Sequence, residues 1–372
     1  MNKTFFNLIQ EVQKPGFCHH CGGCVAFCTA INYGALTLNE QGKPIYKDME
    51  KCIECGLCYS ICPEISELDE EIKRKTAWSI PIGRVIEMTI ARAKNPDILE
   101  NATDGGVVTA LLTHLLSIGR IDAAIVSRST GFFNREPFLA RTEEQIIESA
   151  GFHFDTSHGM KVYSDEYSTF SSSVQELAPM VRKGARRIAF VGTPCQINAI
   201  RKMEALGVVP SDSILYHFGL FCTGNFSFGE AERKKLEEIG KFKWEGVRKV
   251  NVKEDLLITL NSGEVKKISL DKLDFMKRYA CRYCYDYSAE YADISFGGIG
   301  SEDGWTTVLI RSAIGRAVFA DSREDDVEEY THLDNPKFVS EAMDIVRKWS
   351  SKKKKAAREN MRNFEKPVNI KE

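Results

Sequence analysis

The sequence predicts an α+β fold in two parts, a small cysteine-rich domain at the N-terminus and a larger mixed domain that follows it. Three observations support this prediction. The chain has 372 residues, which is enough for two domains. Eight of its twelve cysteines lie between residues 18 and 62. From about residue 84 to 320, strand-like and helix-like runs alternate without the strict rhythm of a βαβ fold.

The composition is that of an ordinary globular protein, with 43% apolar and 27% charged residues. The formal net charge is −2, so the basic excess typical of nucleic-acid-binding proteins is missing. No stretch approaches the roughly 20 consecutive apolar residues that a membrane span needs, and residues 1–13 make a poor signal peptide. We therefore expect a cytoplasmic protein that binds no nucleic acid and that, at most, docks on a membrane complex from the side.

Cysteine density and charge place the boundaries between segments. We predict a first domain over residues 1–75, a second over residues 84–320, and a helical basic tail over residues 337–372. The tail carries four consecutive lysines at residues 352–355. Such a run is most often a solvated helix end, and a docking role is the alternative.

Apolar patterning in the second domain indicates five strands and four helices. The strands are predicted over residues 123–126, 187–191, 214–220, 256–260 and 292–296. The helices are predicted over residues 106–117, 171–181, 194–206 and 228–239.

The N-terminal cysteines form two copies of the run C-x₂-C-x₂-C-x₃-C, the second of which is followed by Pro63. This run is typical of bacterial ferredoxins with two 4Fe–4S clusters, in which the fourth cysteine of each run binds the other cluster. It predicts a cluster A on Cys18, Cys21, Cys24 and Cys62, and a cluster B on Cys52, Cys55, Cys58 and Cys28. Thr29 departs from the pattern, which often has Pro there. Two zinc knuckles are the alternative, but zinc sites favour separated CxxC pairs without the extra cysteines.

Four further cysteines are spread over the second domain. Cys195 and Cys222 each follow an apolar strand, and Cys281 and Cys284 form a CxxC pair. Four thiolates are enough for a third 4Fe–4S cluster. Two buried core cysteines beside a separate redox or zinc CxxC pair would give the same spacing, so both interpretations stay open.

Two glycine-rich segments are candidate anion sites. The loop at 297–305 follows a strand, so its backbone N–H groups could bind a diphosphate, but Asp303 stands where the third Gly of GxGxxG would be. A tight turn is the alternative. Thr103-Asp104-Gly105-Gly106 precedes a predicted helix and would form either an anion site or ordinary helix capping.

Taken together, five separated motifs resemble the family of beta subunits of coenzyme F420-reducing hydrogenase and dehydrogenase across residues 84–313. They are Asp104-Gly-Gly-Val-Val-Thr109, Gly192-Thr-Pro-Cys195-Gln196, Gly219-Leu-Phe-Cys222, Cys281-Arg-Tyr-Cys284 with the stretch up to Ser295, and the loop from Gly297 to Trp305. Fused to the two-cluster unit, the whole chain resembles the electron-input subunit of membrane F420H2 dehydrogenases.

The resemblance implies FAD in the second domain, a third 4Fe–4S cluster on Cys195, Cys222, Cys281 and Cys284, and coenzyme F420 as substrate. A hydride would pass between F420 and FAD, and single electrons would pass through three clusters to a partner subunit, without a catalytic side-chain acid or base. That partner would be a hydrogenase, a formate dehydrogenase, a heterodisulfide reductase or a membrane F420H2 dehydrogenase complex. The FAD contacts carried over from the resemblance are Thr103, Asp104, Gly105, Gly106, Thr109, Gly192, Thr193, Pro194, Gly297, Gly298, Gly300, Ser301, Asp303, Gly304 and Trp305.

Some residues leave the substrate open. Family members tend to carry Lys or Tyr near a Ser in the stretch at 150–157, where this chain has His153 and Phe154, and His153 and His158 are ordinary loop residues as often as functional ones. Lys277, Arg278 and Arg282 are candidate partners for the acidic tail of F420, with surface charge as the alternative. The alternative functions are the same architecture acting on ferredoxin or a substrate such as a tetrapyrrole, and a non-catalytic electron wire.

Overall fold

A computed structural model of the chain describes residues 3–30, 33–131, 133–151, 184–208, 211–332 and 334–365. Within these ranges, the predicted elements of the second domain are present, and each begins within two residues of its predicted start. The predicted helix at 171–181 lies outside the described residues, as do His153, Phe154 and His158. None of the helices in the described ranges is long and apolar enough to cross a lipid bilayer.

The N-terminal region is built from short elements around its cysteines. They are α1 (Phe5–Leu8), which continues as a π-helical turn (Ile9–Gln13), α2 (Gly23–Ala30), the antiparallel hairpin β1 (Leu36–Leu38) and β2 (Pro44–Tyr46), α3 (Leu57–Ser60) and α4 (Asp69–Lys75). Phe5, Leu8 and Tyr59 are the large buried side chains of a core that also contains cysteines. The apolar core is therefore small and packs directly on the predicted metal ligands.

An eight-stranded mixed sheet forms the second domain. Its strands are β3 (Glu87–Ala93), β4 (Ala123–Gly131), β5 (Asn134–Ala140), β6 (Ile188–Gly192), β7 (Ile214–Leu220), β11 (Ile294–Gly297), β12 (Thr306–Ile310) and β13 (Val327–Glu329). The spatial order is β13-β3-β12-β11-β7-β6-β4-β5. The four strands in the middle, β11, β7, β6 and β4, are parallel, and the outer strands are antiparallel. The sheet is mixed, as the irregular rhythm predicts, and its parallel centre brings four strand ends to one edge.

Helices cover both faces of this sheet. They are α5 (Pro96–Asn101), α6 (Val107–Ser117), α7 (Glu143–Glu148), α8 (Pro194–Leu206) and α10 (Ala313–Ser322). Successive residues of a strand point to opposite faces, so in β4 the side chain of Ala124 packs with α6 while that of Ile125 packs with α8. Phe27 and Ile61 of the N-terminal region join the α8 side. The two regions therefore share the hydrophobic cluster on the α8 side of the sheet.

A smaller antiparallel sheet stands beside the main one. Its strands are β8 (Val247–Val252), β9 (Asp255–Leu260) and β10 (Val265–Ser269), in the order β10-β9-β8, with α9 (Glu230–Gly240) packed against them. Leu236, Leu256 and Ile258 are fully buried in this lobe. The lobe has a core of its own and holds β8 next to the main sheet.

A long C-terminal helix, α11 (Pro336–Glu365), packs back along the molecule. Val346 and Ala357 are buried on its inner side, and Trp349 stacks on Tyr287 with ring centroids 6.3 Å apart. The lysine run does not behave as a solvated helix end throughout. Lys354 pairs with the buried Glu290 at 2.6 Å, and Lys353 donates hydrogen bonds into the second domain. Lys353 and Lys354 face inward because they lie on the side of the helix that packs against the protein.

Candidate functional site

The first four-cysteine set lines one cavity in the N-terminal region. Its members are Cys18, Cys21, Cys24 and Cys62. Gly22, with a φ of 82°, turns the chain into α2 just before Cys24. Cys28 lies one helical turn beyond Cys24 and does not reach this cavity. The fourth member, Cys62, comes from the other run, so the geometry matches the exchange of cysteines that the ferredoxin pattern predicts.

The second set, Cys28, Cys52, Cys55 and Cys58, lines a separate cavity. Gly56 has a φ of 79° and caps α3, which carries Cys58 into the cavity. Burial raises the pKa of Cys58 to about 12 and that of Cys21 in the first set to about 11. Buried thiolates need positive charge beside them, which the iron of a cluster supplies. The donor set therefore fits iron–sulfur clusters in both cavities.

The four distal cysteines come together from three separate elements. Cys195 is the second residue of α8, Cys222 follows β7 by two residues, and Cys281 and Cys284 lie in and after a 3₁₀ turn (Tyr279–Arg282). Burial raises the pKa of Cys195 to about 12, with a further contribution from the charge of Cys284. Burial likewise raises the pKa of Cys222 to about 11, and Cys281 and Cys284 add to it. Cys284 thus interacts with both Cys195 and Cys222, so the structure brings the four thiols into one part of the molecule.

His19 connects the first cavity to the distal cysteines. It lines the cavity of the first set, and its Nε2 lies 2.5 Å from Glu64 Oε1. Burial raises the pKa of the Cys281 thiol, but hydrogen bonds from His19 and from the Asn225 N–H outweigh burial and lower this pKa to about 7. The distal set therefore adjoins the first N-terminal set through His19, whereas Cys52, Cys55 and Cys58 line the separate second cavity.

In the described ranges, no three His, Cys, Asp or Glu side chains are arranged to hold a single metal ion. The two N-terminal cysteine sets instead surround cavities.

A cavity of about 190 Å³ opens at the carboxyl ends of the parallel strands. Ligands of open α/β sheets bind in this position, outside the strand ends. Seven of the residues predicted to contact FAD line it: Thr103, Asp104, Gly106, Thr109, Gly192, Thr193 and Gly297. Gly105 does not line the cavity but packs against β3. A Cβ at this residue would lie 2.6 Å from the Ala91 carbonyl oxygen, so the position leaves no room for a side chain.

The remaining predicted FAD contacts do not line this cavity; they are Pro194, Gly298, Gly300, Ser301, Asp303, Gly304 and Trp305. Pro194 begins α8. After Gly297 the loop turns towards α11 and the small sheet: Gly300 lies against the Ala342 carbonyl, and Asp303 pairs with Lys253 at 2.9 Å. Trp305 packs on Tyr330. The glycines of this loop permit close packing, which a spacing pattern does not distinguish from phosphate binding.

Sequence reasoning missed two polar residues near this cavity, Asn251 and Arg135. Asn251 on β8 donates to Asp104 Oδ1 at 2.8 Å, and burial raises the pKa of Asp104. Arg135 on β5 donates to the carbonyls of Ser127 and Ser149 in the cavity wall, and burial lowers its pKa to about 10. Both belong to strands distant in sequence from the motifs, so no local signal marks them.

The basic residues proposed for an acidic substrate tail lie elsewhere. Arg278 Nη1 donates to the His19 carbonyl at 3.1 Å, and Arg282 Nη2 donates to the Asp274 carbonyl at 2.8 Å. Burial lowers the pKa of Lys277, which lies near Cys281 and Cys222. None of the three lines the cavity beside the parallel strands. Their position favours a role at the joint between the two regions.

Comparison of the chain with known proteins identifies the family to which it belongs. The models of the coenzyme F420 hydrogenase/dehydrogenase beta subunit match residues 88–164 with their N-terminal part and residues 185–336 with their C-terminal part. The beta subunit of coenzyme F420 hydrogenase from Methanococcus voltae is 33% identical over 279 residues, which cover 74% of this chain and 93% of that protein. The chain belongs to the family of coenzyme F420 hydrogenase/dehydrogenase beta subunits. The family resemblance predicted from the motifs is confirmed.

This family member also carries a 4Fe–4S dicluster domain, whose model matches residues 10–63. One of the subunits of the F(420)H(2) dehydrogenase from Methanosarcina mazei is 25% identical over 331 residues, 86% of either chain. A chain of the F420-reducing NiFe hydrogenase complex from Methanosarcina barkeri has the same fold, with a TM-score of 0.65 at 24% identity over 77% of this chain and 94% of that one. The N-terminal iron–sulfur domain and the F420-linked family of oxidoreductase subunits are therefore shown.

Proposed function

We propose that the chain is an iron–sulfur flavoprotein subunit that exchanges two electrons with coenzyme F420 at a bound FAD and passes them singly through three 4Fe–4S clusters to a partner subunit. One observation carries the proposal. Thr193 lines the cavity at the strand ends, and its Oγ1 lies 3.3 Å from Cys195 Sγ. The cavity and the distal cysteines therefore share a wall, as a flavin and its first electron acceptor would require.

FAD, when bound, would supply the conversion between the two-electron chemistry of a deazaflavin and the one-electron chemistry of iron–sulfur clusters. The residues on the cavity wall fit such a ligand. Val107 and Val108, the first two residues of α6, line the cavity, and the unpaired backbone N–H groups of a helix start suit a diphosphate. Val107 and Leu112 on α6 and Phe296 on β11 give apolar wall for a ring system.

Asp104 fixes the mouth of this cavity. It accepts a hydrogen bond from Asn251, and a Cβ on Gly298 would come within 2.6 Å of its Oδ2. The small sheet and the main sheet are thereby held together at the loop that opens α6. Their fixed spacing would keep the flavin site at one distance from the distal cysteines.

His19 holds the path between the distal site and the N-terminal sites. Its ring connects the wall of the first cavity to Cys281, and its carbonyl accepts from Arg278. These contacts support an order of sites that runs from the strand-end cavity to the distal cysteines, then to the Cys18 set and last to the Cys28 set. We propose that electrons follow this order, with the last set nearest the partner.

Relatives named as subunits of a hydrogenase and of an F420H2 dehydrogenase support the presence of a partner subunit. We propose that the partner belongs to a hydrogenase, formate dehydrogenase, heterodisulfide reductase or membrane F420H2 dehydrogenase complex. Pull-down of the tagged chain from native cells, with identification of the co-purified redox subunits, tests this part of the proposal.

Anaerobic addition of reduced F420 to purified, reconstituted protein tests the proposal as a whole. We expect the flavin absorbance to bleach and an added viologen to be reduced. Thr109→Val removes a hydroxyl from the cavity wall, and Thr113→Val makes the same change one turn further along α6, where Thr113 Oγ1 bonds to Ala110 O at 3.0 Å outside the cavity. We expect about three- to tenfold weaker FAD binding for Thr109→Val only.

Protein that contains FAD and clusters but neither bleaches nor reduces viologen with reduced F420 would contradict F420 as the substrate and favour ferredoxin or another donor. Protein with full iron and no FAD would favour an electron wire instead.

A further inference from the structure

One lysine of the C-terminal run reaches the distal cysteine site. Lys353 Nζ on α11 donates to the Cys222 carbonyl at 2.6 Å and to the Asp286 carbonyl at 2.7 Å. Its neighbours do not share this environment: Lys352 is exposed and lies 3.5 Å from Asp271, and Lys355 is exposed and lies 3.9 Å from Glu359 on the same helix. Lys354 also faces inward but pairs with Glu290, so Lys353 is the member of the run that contacts the distal cysteine segment.

The charges around this ammonium are those of the distal site. Cys222, Cys281, Cys284 and Asp286 are the groups that interact with it electrostatically. The lysine cation therefore lies beside the cysteines that would hold the distal cluster.

Packing on both sides fixes the position of Lys353 along the helix. One turn before it, Trp349 stacks on Tyr287, whose carbonyl accepts from the Cys222 N–H at 2.8 Å. Two turns after it, Asn360 Nδ2 donates to the Arg282 carbonyl at 2.8 Å. The helix is therefore anchored to two of the three segments that carry distal cysteines, those of Cys222 and of Cys281 and Cys284.

We propose that Lys353 is a positioning residue whose charge raises the reduction potential of the distal 4Fe–4S cluster. The inference rests on the proposed function, because it requires a cluster on the distal cysteines. Reduction adds one electron to the cluster, supplied by the flavin, and neither forms nor breaks a bond. A fixed cation stabilises the more negative reduced cluster, and net charge around a cluster is one of the factors that set its potential.

The test is a redox titration followed by EPR on reconstituted protein. Cys284→Ser identifies the distal signal by its loss. In Lys353→Met we expect the equilibrium constant for one-electron reduction of that cluster to fall at least tenfold. This corresponds to a midpoint potential lower by at least about 59 mV. The other two signals should keep their midpoints. Lys355→Met, the matched outward change, should leave the midpoints of all three signals unchanged. Lys353→Arg keeps the positive charge, so its distal midpoint should stay close to that of the wild type.

Several results would overturn the inference. A distal midpoint in Lys353→Met within error of the wild type, at full iron content, would show that the charge does not act on the cluster. Loss of the distal cluster from Lys353→Met with the fold intact would make Lys353 a structural support. Failure of the proposed function is separable, because wild-type protein would then lack the signal that Cys284→Ser removes.

Discussion

The two regions of the molecule assemble four-cysteine sets in different ways. The N-terminal sets come from two short runs, so the spacing of the chain alone brings most ligands of each set together. The distal set comes from the start of α8, the end of β7 and a 3₁₀ turn, which are up to about ninety residues apart and meet only when the sheet has formed. The spacing of cysteines along the chain therefore determines the N-terminal sets, whereas the distal set depends on how the sheet is assembled.

The difference extends to stability. Apart from α2 and α4, the N-terminal elements have three to five residues each, and their core is interleaved with cysteines. A segment of this size buries too little apolar surface to be stable without metal or a partner. The distal cysteines stand on an eight-stranded sheet with its own core. We expect the first region to depend on its clusters for folding and the second to fold without one.

The largest expected effect separates these two cases directly. Cys58→Ser removes a buried cysteine of the second N-terminal set, and Cys281→Ser removes a buried cysteine of the distal set. We expect Cys58→Ser to abolish hydrogen-exchange protection across residues 33–75 because those elements lose their metal. Cys281→Ser should leave β6, β7 and β11 protected. Equal loss of protection in both variants, measured by mass spectrometry, would contradict the comparison.

A smaller effect is expected at the contact between the regions. Lys202 on α8 is fully buried, and its Nζ donates to the carbonyls of Cys62 and Ile65 and pairs with Asp69 at 2.9 Å. Lys202→Met would leave these groups without their cation. We expect a loss of about 2–4 kcal/mol in the free energy of unfolding of the N-terminal region, followed by cluster absorbance in denaturant.

Lys75→Met is the matched control for that measurement. Lys75 crosses the same interface in the other direction, but it is exposed, and it donates to the Glu204 carbonyl at 2.8 Å. A change within about 0.5 kcal/mol is expected for it. If Lys202→Met were as mild as Lys75→Met, the buried lysine would not be the anchor between the regions.

The smallest expected effect is a pH dependence at the joint of the regions. Trp78, which follows α4, donates to Glu290 Oε2 at 2.8 Å, and Lys354 of α11 pairs with Oε1. Burial and the neighbouring Asp286 raise the pKa of Glu290 from 4.5 to about 7. The folded state therefore keeps a proton that the unfolded state releases, so stability falls as the pH rises from about 4.5 to 7.

The free energy of unfolding should fall by at most about 3 kcal/mol across that pH range. Glu290→Gln removes the titrating group, and its thermal unfolding midpoint should fall less than that of the wild type between pH 5 and 7.5. The two curves running parallel would show that Glu290 does not hold a proton in the folded protein.

Sequence reasoning succeeded where chemistry follows local spacing. The two N-terminal sets and the strands with continuous apolar runs, such as β7, could be predicted, and so could most of the helix starts. Thr103, Asp104 and Thr193 could be placed at a ligand site because their motifs lie at the ends of elements that meet at one sheet edge.

The remaining features depend on long-range packing. Nothing near Lys353 in sequence distinguishes it from Lys352, and only the docking of α11 turns one inward. The loop at 297–305 has the composition of a phosphate loop, yet past Gly297 it packs on α11 and the small sheet, away from the strand-end cavity. Asn251 comes to Asp104 only because the small sheet folds beside the main one. Such residues are set by contacts between distant segments, which spacing does not record.

Metal and flavin analysis of the anaerobically purified chain tests the central claim most directly. If both regions hold clusters, we expect about twelve iron and twelve acid-labile sulfide per chain, with one FAD. About eight of each would contradict the claim, because the N-terminal sets alone would then carry clusters and the distal cysteines Cys195, Cys222, Cys281 and Cys284 would be structural.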